Sequence, residues 1–470
     1  MDMFKREMFF EVKNALQQHN VIFLLGPRKC GKTIALMQLN KELPTSELYD
    51  FKTVTKEESM DLVNRIIFSI KNNDDIIYLL DEVTYMHFVD VELAKIARLF
   101  TEQKITENEV RTKIVFTGSQ SVALEAWGRI AFCNEARFIK SNFLSYREWL
   151  QWKNRTDISR QSYLEFINGT FEFYSNFSTL EEYLTGCLDE TVISNANSRN
   201  YVYGNDCDLV DVEMLINILY STLIKLHDNV AADKIFRERA FTDRIEYTTK
   251  QLNLDGFSAR EIMQKVSSSI LFKYDHVRSM DLETLKQCYA FLIRSDLIVA
   301  TPIFSDLESS INVLKQLEST NSIFRTKHDL FRMVNFTIKY PMFYVEVLKE
   351  LFEDRLPIEL EGQTLGSIVE CHVRGLLTSN GSFTYHDELH HEIDYVNIPQ
   401  HTAIEITISN KKLKNVNLDL IDDSYKKILL TNDLRDEISS VKRIPYYEFI
   451  YELESSKSIN LKSTTKINTF

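Results

Sequence analysis

The eight residues GPRKCGKT, numbers 26 to 33, decide which fold to expect from this chain of 470 residues. They fit G-x-x-x-x-G-K-[ST], the pattern of a loop whose backbone N–H groups surround phosphates. This chemistry needs a strand before the loop and a helix after it, since the helix N-terminus also attracts the anion. The apolar run 21–25 predicts the strand, and helical spacing of apolar residues up to Pro44 predicts the helix, whereas an ordinary glycine turn is the alternative. The predicted phosphate-binding residues are Gly26, Pro27, Arg28, Lys29, Cys30, Gly31, Lys32 and Thr33.

Composition restricts the class of protein. A length of 470 residues predicts about three domains, and 44% hydrophobic residues suffice for several cores. The net charge of −13 disfavours a protein that coats nucleic acid through its overall charge, although a local basic patch stays open. Six dispersed cysteines without a C-x-x-C pair indicate neither a zinc knuckle nor a disulfide framework. Without a signal-peptide core or a membrane-length apolar run, the sequence predicts a cytoplasmic protein with no membrane partner.

A second apolar run, 76–80, ends in the adjacent acids Asp81 and Glu82. We expect a strand beside the first one in a parallel sheet, with its carboxyl end next to the phosphate loop. Asp81 and the Thr33 hydroxyl would then hold Mg²⁺ and its water, and Glu82 would polarise the attacking water. The alternative is a solvated acidic turn. The predicted cofactors are therefore ATP and Mg²⁺.

A third predicted strand, 113–117, runs into a polar turn that contains Ser119. Such turns place groups that sense the γ-phosphate, so we predict this role for Ser119. The equally weighted alternative is a helix N-cap made by Ser119 or Ser121.

These motifs, together with two that follow, resemble a family of poorly characterised prokaryotic AAA-type ATPases with a C-terminal restriction-endonuclease-like domain. The family's GpRrvGKT, DE, tGSs, L.GR and PLSFREFL correspond in order to GPRKCGKT, LLDE, TGSQS, WGRI and FLSYREWL, with Phe143 in place of the usual proline. The resemblance implies that Arg129 is an arginine finger or sensor, acting in cis or from a neighbouring subunit of a homo-oligomer. A surface arginine in a salt bridge is the alternative.

The middle of the chain lacks catalytic spacing. YLTG at 183–186 resembles the family's helical lid, and 195–208 is expected to form an exposed loop. A capping box at 258–261, a helix over 282–292 and a strand over 297–300 resemble the family's winged-helix element. Such elements bind DNA, but Lys286 and Arg294 are the only cations on the would-be recognition helix, so packing is favoured over a DNA partner.

The C-terminal region carries three acids at the spacing of a PD-(D/E)xK nuclease core: Glu370 on a helix that opens at Gly366, then Asp394 and Glu405 on strands. In that core, carboxylates from neighbouring strands hold Mg²⁺. Thr407 occupies the position of the lysine that steadies the attacking water, which disfavours cleavage. Lys411 and Lys412 are alternative cations, unless they are simply solvated, and HDELHHE at 386–392 does not fit a zinc-binding H-E-x-x-H motif.

The sequence thus predicts an α/β multidomain protein. Its expected parts are a parallel-sheet AAA-type P-loop domain (1–153), a helical lid region (154–245), a winged-helix-like element (246–310), a restriction-endonuclease-like α/β domain (311–455) and a polar tail (456–470). Three functions stay open: an ATP-hydrolysing switch with a nuclease-like binding or assembly module, an ATP-gated Mg²⁺-dependent DNA nuclease, and a scaffold that binds ATP without turnover. Thr407 favours the first over the second, and the Asp81–Glu82 pair disfavours the third.

Overall fold

The computed structural model forms two compact units, 1–148 with 181–208, and 149–180 with 209–470. The residues that it describes are 4–107, 110–133, 135–173, 179–201, 210–223, 276–277, 279–304, 312–351, 362–377, 382–386, 392–408 and 417–463.

In the described residues, helices and strands alternate in the first unit, whereas the second unit has pairs of helices between single strands and then six strands in succession before its last helix. The helices are α1 Glu7–Ala15, α2 Lys32–Glu42, α3 Lys56–Asn72, α4 Val89–Glu107, α5 Ser121–Phe132, α6 Tyr146–Trp152, α7 Arg160–Phe173, α8 Leu180–Ala196, α9 Val212–Leu223, α10 Leu282–Arg294, α11 Val313–Glu318, α12 Lys327–Met333, α13 Pro341–Leu351, α14 Gly362–Leu377 and α15 Tyr446–Ser463. The strands are β1 Val21–Leu25, β2 Ser46–Asp50, β3 Ile77–Asp81, β4 Lys113–Thr117, β5 Ala136–Lys140, β6 Ile298–Phe304, β7 Val334–Ile338, β8 Ser382–His386, β9 Glu392–Asn397, β10 Thr402–Ile406, β11 Lys426–Thr431, β12 Asp436–Ile438 and β13 Val441–Pro445.

The first unit is built on a five-stranded parallel sheet in the order β2-β3-β4-β1-β5. All five residues of β1 are buried, because apolar layers cover both faces of the sheet. Phe23 stacks between Phe116 and Phe138 on one face, while Ile22 and Leu24 pack with α2 on the other. The strands predicted at 21–25, 76–80 and 113–117, and the helix after the loop, are confirmed.

The prediction that the Asp81 strand lies directly beside β1 is wrong. β4 lies between them and pairs with both, Val21 against Ile114 and Ile77 against Lys113. Strand order depends on how the crossover helices pack, which a local apolar pattern does not record. Because all the strands are parallel, the carboxyl ends of β1, β3 and β4 still meet at one edge of the sheet.

The second unit contains a mixed eight-stranded sheet in the order β12-β13-β11-β10-β9-β8-β6-β7. β9 is antiparallel to both β8 and β10, whereas β10, β11 and β13 run parallel. The strands predicted around Asp394 and Glu405 are therefore β9 and β10. The predicted helix around Glu370 is α14, but it begins at Gly362 rather than at Gly366, since a glycine inside a helix costs only about 1 kcal/mol.

Helix α10 and strand β6 confirm the predicted helix and strand of the winged-helix-like element. Asp281 caps α10, its side chain accepting a hydrogen bond from the backbone N–H of Thr284. β6 pairs with β7 and β8, so it is part of the large sheet. The capping box at 258–261 lies outside the described residues, and the winged-helix and restriction-endonuclease-like folds stay predictions.

The two cations of α10 form ion pairs and hydrogen bonds within the second unit. Lys286 is buried, and its Nζ lies 3.0 Å from Glu283 Oε2 and 3.3 Å from the Ser319 carbonyl oxygen. Arg294 pairs with Glu318 at 2.6 Å. These contacts favour packing over DNA binding for this helix.

Candidate nucleotide-binding site

The phosphate loop joins β1 to α2, and glycine is required at both of its ends. A Cβ atom at Gly26 would lie 2.4 Å from Ser141 Oγ and 2.7 Å from the Ser141 carbonyl oxygen, because β5 ends against the loop. Gly31 directly precedes α2 with a φ of 99°, which L side chains rarely adopt. The chain therefore turns tightly enough for backbone N–H groups to converge at the N-terminus of α2.

Lys32 is the buried cation of this loop. Its Nζ donates to the carbonyl oxygens of Gly26 at 2.9 Å and Pro27 at 2.8 Å. The aliphatic part of the side chain is covered, and 6% of the residue is exposed. The ammonium group is therefore held against the backbone of the loop by two of its carbonyl oxygens.

Asp81 lies at the end of β3 and accepts a hydrogen bond from the Thr33 hydroxyl. Burial raises its pKa to about 6, with Glu82 adding to the rise and the Thr33 hydrogen bond opposing it. A hydroxyl and a carboxylate side by side are the oxygen donors that Mg²⁺ prefers. The pair therefore fits the predicted role of holding Mg²⁺ and its water.

Glu82 and Ser119 are brought together across the ends of β3 and β4. The Glu82 carboxylate accepts a hydrogen bond from the backbone N–H of Ser119 at 3.0 Å and from its Oγ at 2.5 Å. Glu82 itself has a φ of 50°, so its backbone is in the left-handed region. Ser119 thus fixes the orientation of the predicted catalytic carboxylate, a contact that the sequence pattern did not reveal.

The alternative of an N-cap at Ser119 or Ser121 is wrong. The N-cap residue of α5 is Gln120, and no side chain caps it. Ser121 Oγ instead accepts from the Gly26 N–H at 2.7 Å and donates to the Gly26 carbonyl at 2.6 Å. Ser119 therefore holds the Glu82 carboxylate, and Ser121 holds the backbone of the loop at Gly26.

Arg129 lies in the last turn of α5, whereas the first turn of that helix borders the phosphate loop. Its side chain is 57% exposed, pairs with Glu125 at 2.7 Å and lies over the Phe138 ring at 4.5 Å. The preceding Gly128 allows α5 to approach β1, since a Cβ there would lie 2.8 Å from Phe23. These contacts favour the surface interpretation of Arg129 over a finger in cis.

Arg6 and Glu148 form a buried ion pair that sequence analysis missed. Arg6 Nη2 lies 2.6 Å from Glu148 Oε2, and Arg6 Nη1 donates to the Cys30 carbonyl oxygen at 2.5 Å. Glu148 also accepts from the backbone N–H groups of Glu7 and Ser145. The FLSYREWL motif therefore supports the phosphate loop through its glutamate, which was the available signal for this pair.

Helix α8 contacts three parts of the nucleotide site. Arg28 Nε of the loop donates to Glu190 Oε1 at 3.0 Å. Gln120 Nε2 donates to the Cys187 carbonyl at 3.0 Å and to Thr191 Oγ1 at 2.9 Å. The third contact is made by Asn197, the residue after the helix, whose Nδ2 donates to the carbonyl oxygens of Thr84 at 3.4 Å and Tyr85 at 3.3 Å. No spacing rule would have selected Glu190, since acids are common on helices.

A separate acidic cluster lies in the second unit. Asp394 Oδ2 accepts from the Ile406 N–H at 2.7 Å, and burial together with Glu370 and Glu392 raises the pKa of Asp394 to about 8. Burial, then Asp394, raises the pKa of Glu405 to about 9. Glu370, Asp394 and Glu405 are thus close enough to repel one another, as their spacing predicts.

The cluster holds its own cation, Arg374, which is fully buried. Arg374 Nη2 lies 2.8 Å from Glu370 Oε1, and Nη1 donates to Thr384 Oγ1 at 2.9 Å. In the described part of the chain, no three His, Cys, Asp or Glu residues are arranged to hold a metal ion.

Of the residues named in the remaining C-terminal predictions, the structure describes only some. Thr407 donates its backbone N–H to the Leu430 carbonyl oxygen at 2.9 Å, which continues the pairing of β10 with β11. Lys411 and Lys412 lie outside the described residues, and so do residues 387–391 of the histidine-containing stretch.

The family comparison agrees with this geometry. Residues 18–150 match the family model of an AAA domain. Residues 18–150 therefore form an AAA-type P-loop domain. The matched range contains the loop, the Asp81–Glu82 pair and Ser119. A search of curated protein sequences gave no match. None of the described helices is long and apolar enough to cross a membrane.

Three solved structures show distant similarity. The Walker-type ATPase PABY2304 of Pyrococcus abyssi is 15% identical, with 74% of this chain and 96% of that chain covered and a TM-score of 0.32. A DNA replication initiation factor is 11% identical over 59% of this chain and 91% of that chain, with a TM-score of 0.22. The replication initiator DnaA, bound to AMPPCP and single-stranded DNA, is 14% identical over 63% and 89%, with a TM-score of 0.26. These scores are too low to carry an argument about function.

Proposed function

We propose that the chain is an ATP-hydrolysing molecular switch, in which the second unit serves as a nuclease-like binding or assembly module. The observation that carries the proposal is the convergence, at one sheet edge, of Lys32, the Thr33–Asp81 pair and the Ser119-bound Glu82. Each of these groups has a distinct task in phosphoryl transfer.

Each residue of the site has a separate role in ATP hydrolysis. Lys32 and the loop N–H groups bind and orient the phosphates, and the Thr33 hydroxyl and Asp81 carboxylate provide the oxygens for Mg²⁺. Bound Mg²⁺ neutralises charge that develops on the β- and γ-phosphates. Glu82, fixed by Ser119, accepts a hydrogen bond from the attacking water and orients it. An acid held this way argues against a scaffold that binds ATP without turnover.

Two substitutions test the proposal on the full chain. Lys32→Ala is expected to weaken ATP binding by about a hundredfold, since a charge-assisted contact contributes up to about 3 kcal/mol. Glu82→Gln is expected to keep binding and to lower hydrolysis by about a hundredfold or more. Lys41→Ala, on the exposed face of the same helix, is the control that should change neither quantity. An unaltered turnover rate in Glu82→Gln would refute the catalytic assignment.

An ATP-gated Mg²⁺-dependent DNA nuclease is the second candidate, and the clustering of Glu370, Asp394 and Glu405 favours it. Thr407 and the pairing of Arg374 with Glu370 argue against it, because Thr407 leaves the cluster without the lysine that steadies the attacking water and Arg374 neutralises a carboxylate that would hold Mg²⁺. Incubating the full chain with single- and double-stranded DNA, ATP and Mg²⁺ or Mn²⁺ tests this candidate. We expect no cutting, and cutting that disappears in Asp394→Ala would replace the switch with the nuclease.

A further inference from the structure

Arg28 is a second cation of the phosphate loop, and helix α8 holds it. Its Nε lies 3.0 Å from Glu190 Oε1, and 20% of the side chain is exposed. The guanidinium group also lies against the helix backbone at Gly186, where an added Cβ would be 1.8 Å from Arg28 Nη1. Because glycine has no Cβ atom, this position of α8 leaves room for the Arg28 guanidinium group.

Arg28 stabilises the charged form of the buried Glu190 carboxylate. Its side chain is 4% exposed, and Oε2 has no hydrogen-bond partner among the residues that the structure describes. A further cation nearby is Lys52, whose Nζ is 3.9 Å away from Glu190 Oε1 and whose side chain is 47% exposed. Burial and the neighbouring Glu82 raise the pKa of Glu190. A buried carboxylate that lost Arg28 would be strongly disfavoured in this position.

Phosphate is a competitor for the same guanidinium. Arginine binds phosphate oxygens through two parallel hydrogen bonds, whereas it is Nε that donates to Glu190. Arg28 belongs to the loop that surrounds the phosphates, so a bound nucleotide brings a second anion to it. Both anions cannot hold the guanidinium in the same geometry.

We propose that Glu190 is a positioning residue that holds Arg28 away from the nucleotide, and that ATP binding moves Arg28 from Glu190 to the phosphates and loosens α8. The inference rests on the proposed ATP binding and adds its regulation. Helix α8 also contacts Gln120, and Asn197, which follows the helix, contacts the turn after Glu82. Loosening of α8 therefore also affects the residues around the catalytic carboxylate of Glu82.

Nucleotide affinity tests the first half of the proposal. Glu190→Gln is expected to bind ATP about tenfold more tightly than wild type, a coupling of ordinary size. Asp189→Asn removes the same charge from the neighbouring, exposed position of α8 and should leave affinity unchanged. In an Arg28→Gln background, Glu190→Gln should have no further effect, because the competition acts through Arg28. Unchanged or weaker binding in Glu190→Gln, or tightening that persists without Arg28, would overturn the proposal.

Gly186→Ala provides a second variant that keeps the acid. Alanine favours the helix, and its methyl group displaces only the flexible end of Arg28, so we expect tighter ATP binding here too. If Glu190→Gln failed to fold, this variant would still decide the question. Equal affinity of Gly186→Ala and wild type would contradict the competition.

Hydrogen exchange of the α8 backbone tests the second half. In wild type, exchange of residues 181–196 should rise at least severalfold with a non-hydrolysable ATP analogue, while Glu190→Gln should exchange faster already without it. Protection that is identical with and without the analogue would refute the loosening of α8. If wild type bound no nucleotide at all, the proposed function would fail; binding without any influence of Glu190 would refute this inference alone.

Discussion

Glu82 shows at the scale of one residue how the site is preorganised. A glutamate with a φ of 50° is uncommon, and such a conformation costs about 1–3 kcal/mol. Two hydrogen bonds from Ser119 to its carboxylate help to offset this cost. Strain of this kind is found where the position of a side chain matters for function.

Ser119→Ala is expected to lower ATP hydrolysis by about tenfold to a hundredfold, because the Glu82 carboxylate loses its hydroxyl donor and its fixed orientation. ATP affinity should stay within about twofold of wild type, since the loop and Lys32 are untouched. Steady-state turnover and equilibrium binding, measured on the same preparations, separate the two effects. Ser119→Thr keeps the hydroxyl and should retain most of the activity; a fully active Ser119→Ala would show that the contact is dispensable.

Arg129→Ala is expected to change hydrolysis by less than about twofold, because the guanidinium is paired with Glu125 and exposed at the far end of α5. Turnover should be measured over a wide range of protein concentration. A tenfold loss that is restored by mixing Arg129→Ala with Lys32→Ala would instead establish a finger that acts between subunits of a homo-oligomer.

At the scale of elements, the ion pair Arg6–Glu148 links α1 and α6 to the phosphate loop. Glu148→Gln leaves Arg6 as a buried charge without its carboxylate, so the free energy of unfolding should fall by about 3–5 kcal/mol. Urea unfolding of the full chain, followed in the first unit by nucleotide binding, measures this loss. Glu102→Gln removes an acid from the exposed pair with Arg98 and should cost no more than about 1 kcal/mol.

The same pair predicts how the first unit responds to acid. Burial alone would raise the pKa of Glu148, but Arg6 and hydrogen bonds hold it below the ordinary value of 4.5. A depressed folded pKa gives stability that is present above the unfolded pKa and is lost as the pH falls through the folded value. Wild type should therefore lose stability below about pH 4.5 more steeply than Glu148→Gln. Parallel losses in the two proteins would mean that other carboxylates govern acid unfolding.

Elements with a strong local signal could be predicted from the sequence. The phosphate loop, the run before Asp81 and the strand before Ser119 each combine an apolar stretch with a polar end, which is enough to place them on strands. The order of these strands, with β4 between β1 and β3, depends on crossover packing and has no local signature. Contacts such as Arg28–Glu190 and Arg6–Glu148 join residues more than a hundred positions apart, so no spacing rule could find them.

At the scale of the whole molecule, the two units carry the two acidic sites that the sequence suggested, with different electrostatics. In the first unit, Asp81 lies near the cation Lys32 and accepts a hydrogen bond from the Thr33 hydroxyl. In the second, Arg374 already neutralises part of the charge from within. The spacing of Glu370, Asp394 and Glu405 predicted that they converge, but it contained no information about this buried arginine.

The acidic cluster makes the stability of the chain depend on pH in the opposite direction to Glu148. The pKa values of Asp394 and Glu405 are raised to about 8 and 9, so the folded chain holds protons that the unfolded chain releases near pH 4. Stability therefore falls as the pH rises between these limits, by at most about 1.4 kcal/mol per pH unit for each proton held. The neighbouring charges are Glu370, Glu392 and Arg374, and only the last of them opposes the rise.

Asp394→Asn combined with Glu405→Gln is therefore expected to raise the melting temperature above that of wild type at pH 9 and to leave it nearly unchanged at pH 5. The amides cannot ionise, so the repulsion that builds up in wild type at alkaline pH is absent. Calorimetry of the full chain, with and without millimolar Mg²⁺, measures this difference, and Glu437→Gln removes an exposed acid of the same sheet as the control. If Mg²⁺ raised the melting temperature of wild type at pH 9 but not that of the double variant, a bound ion rather than protonation would hold the carboxylates together, and the nuclease interpretation of this cluster would regain its chemical basis.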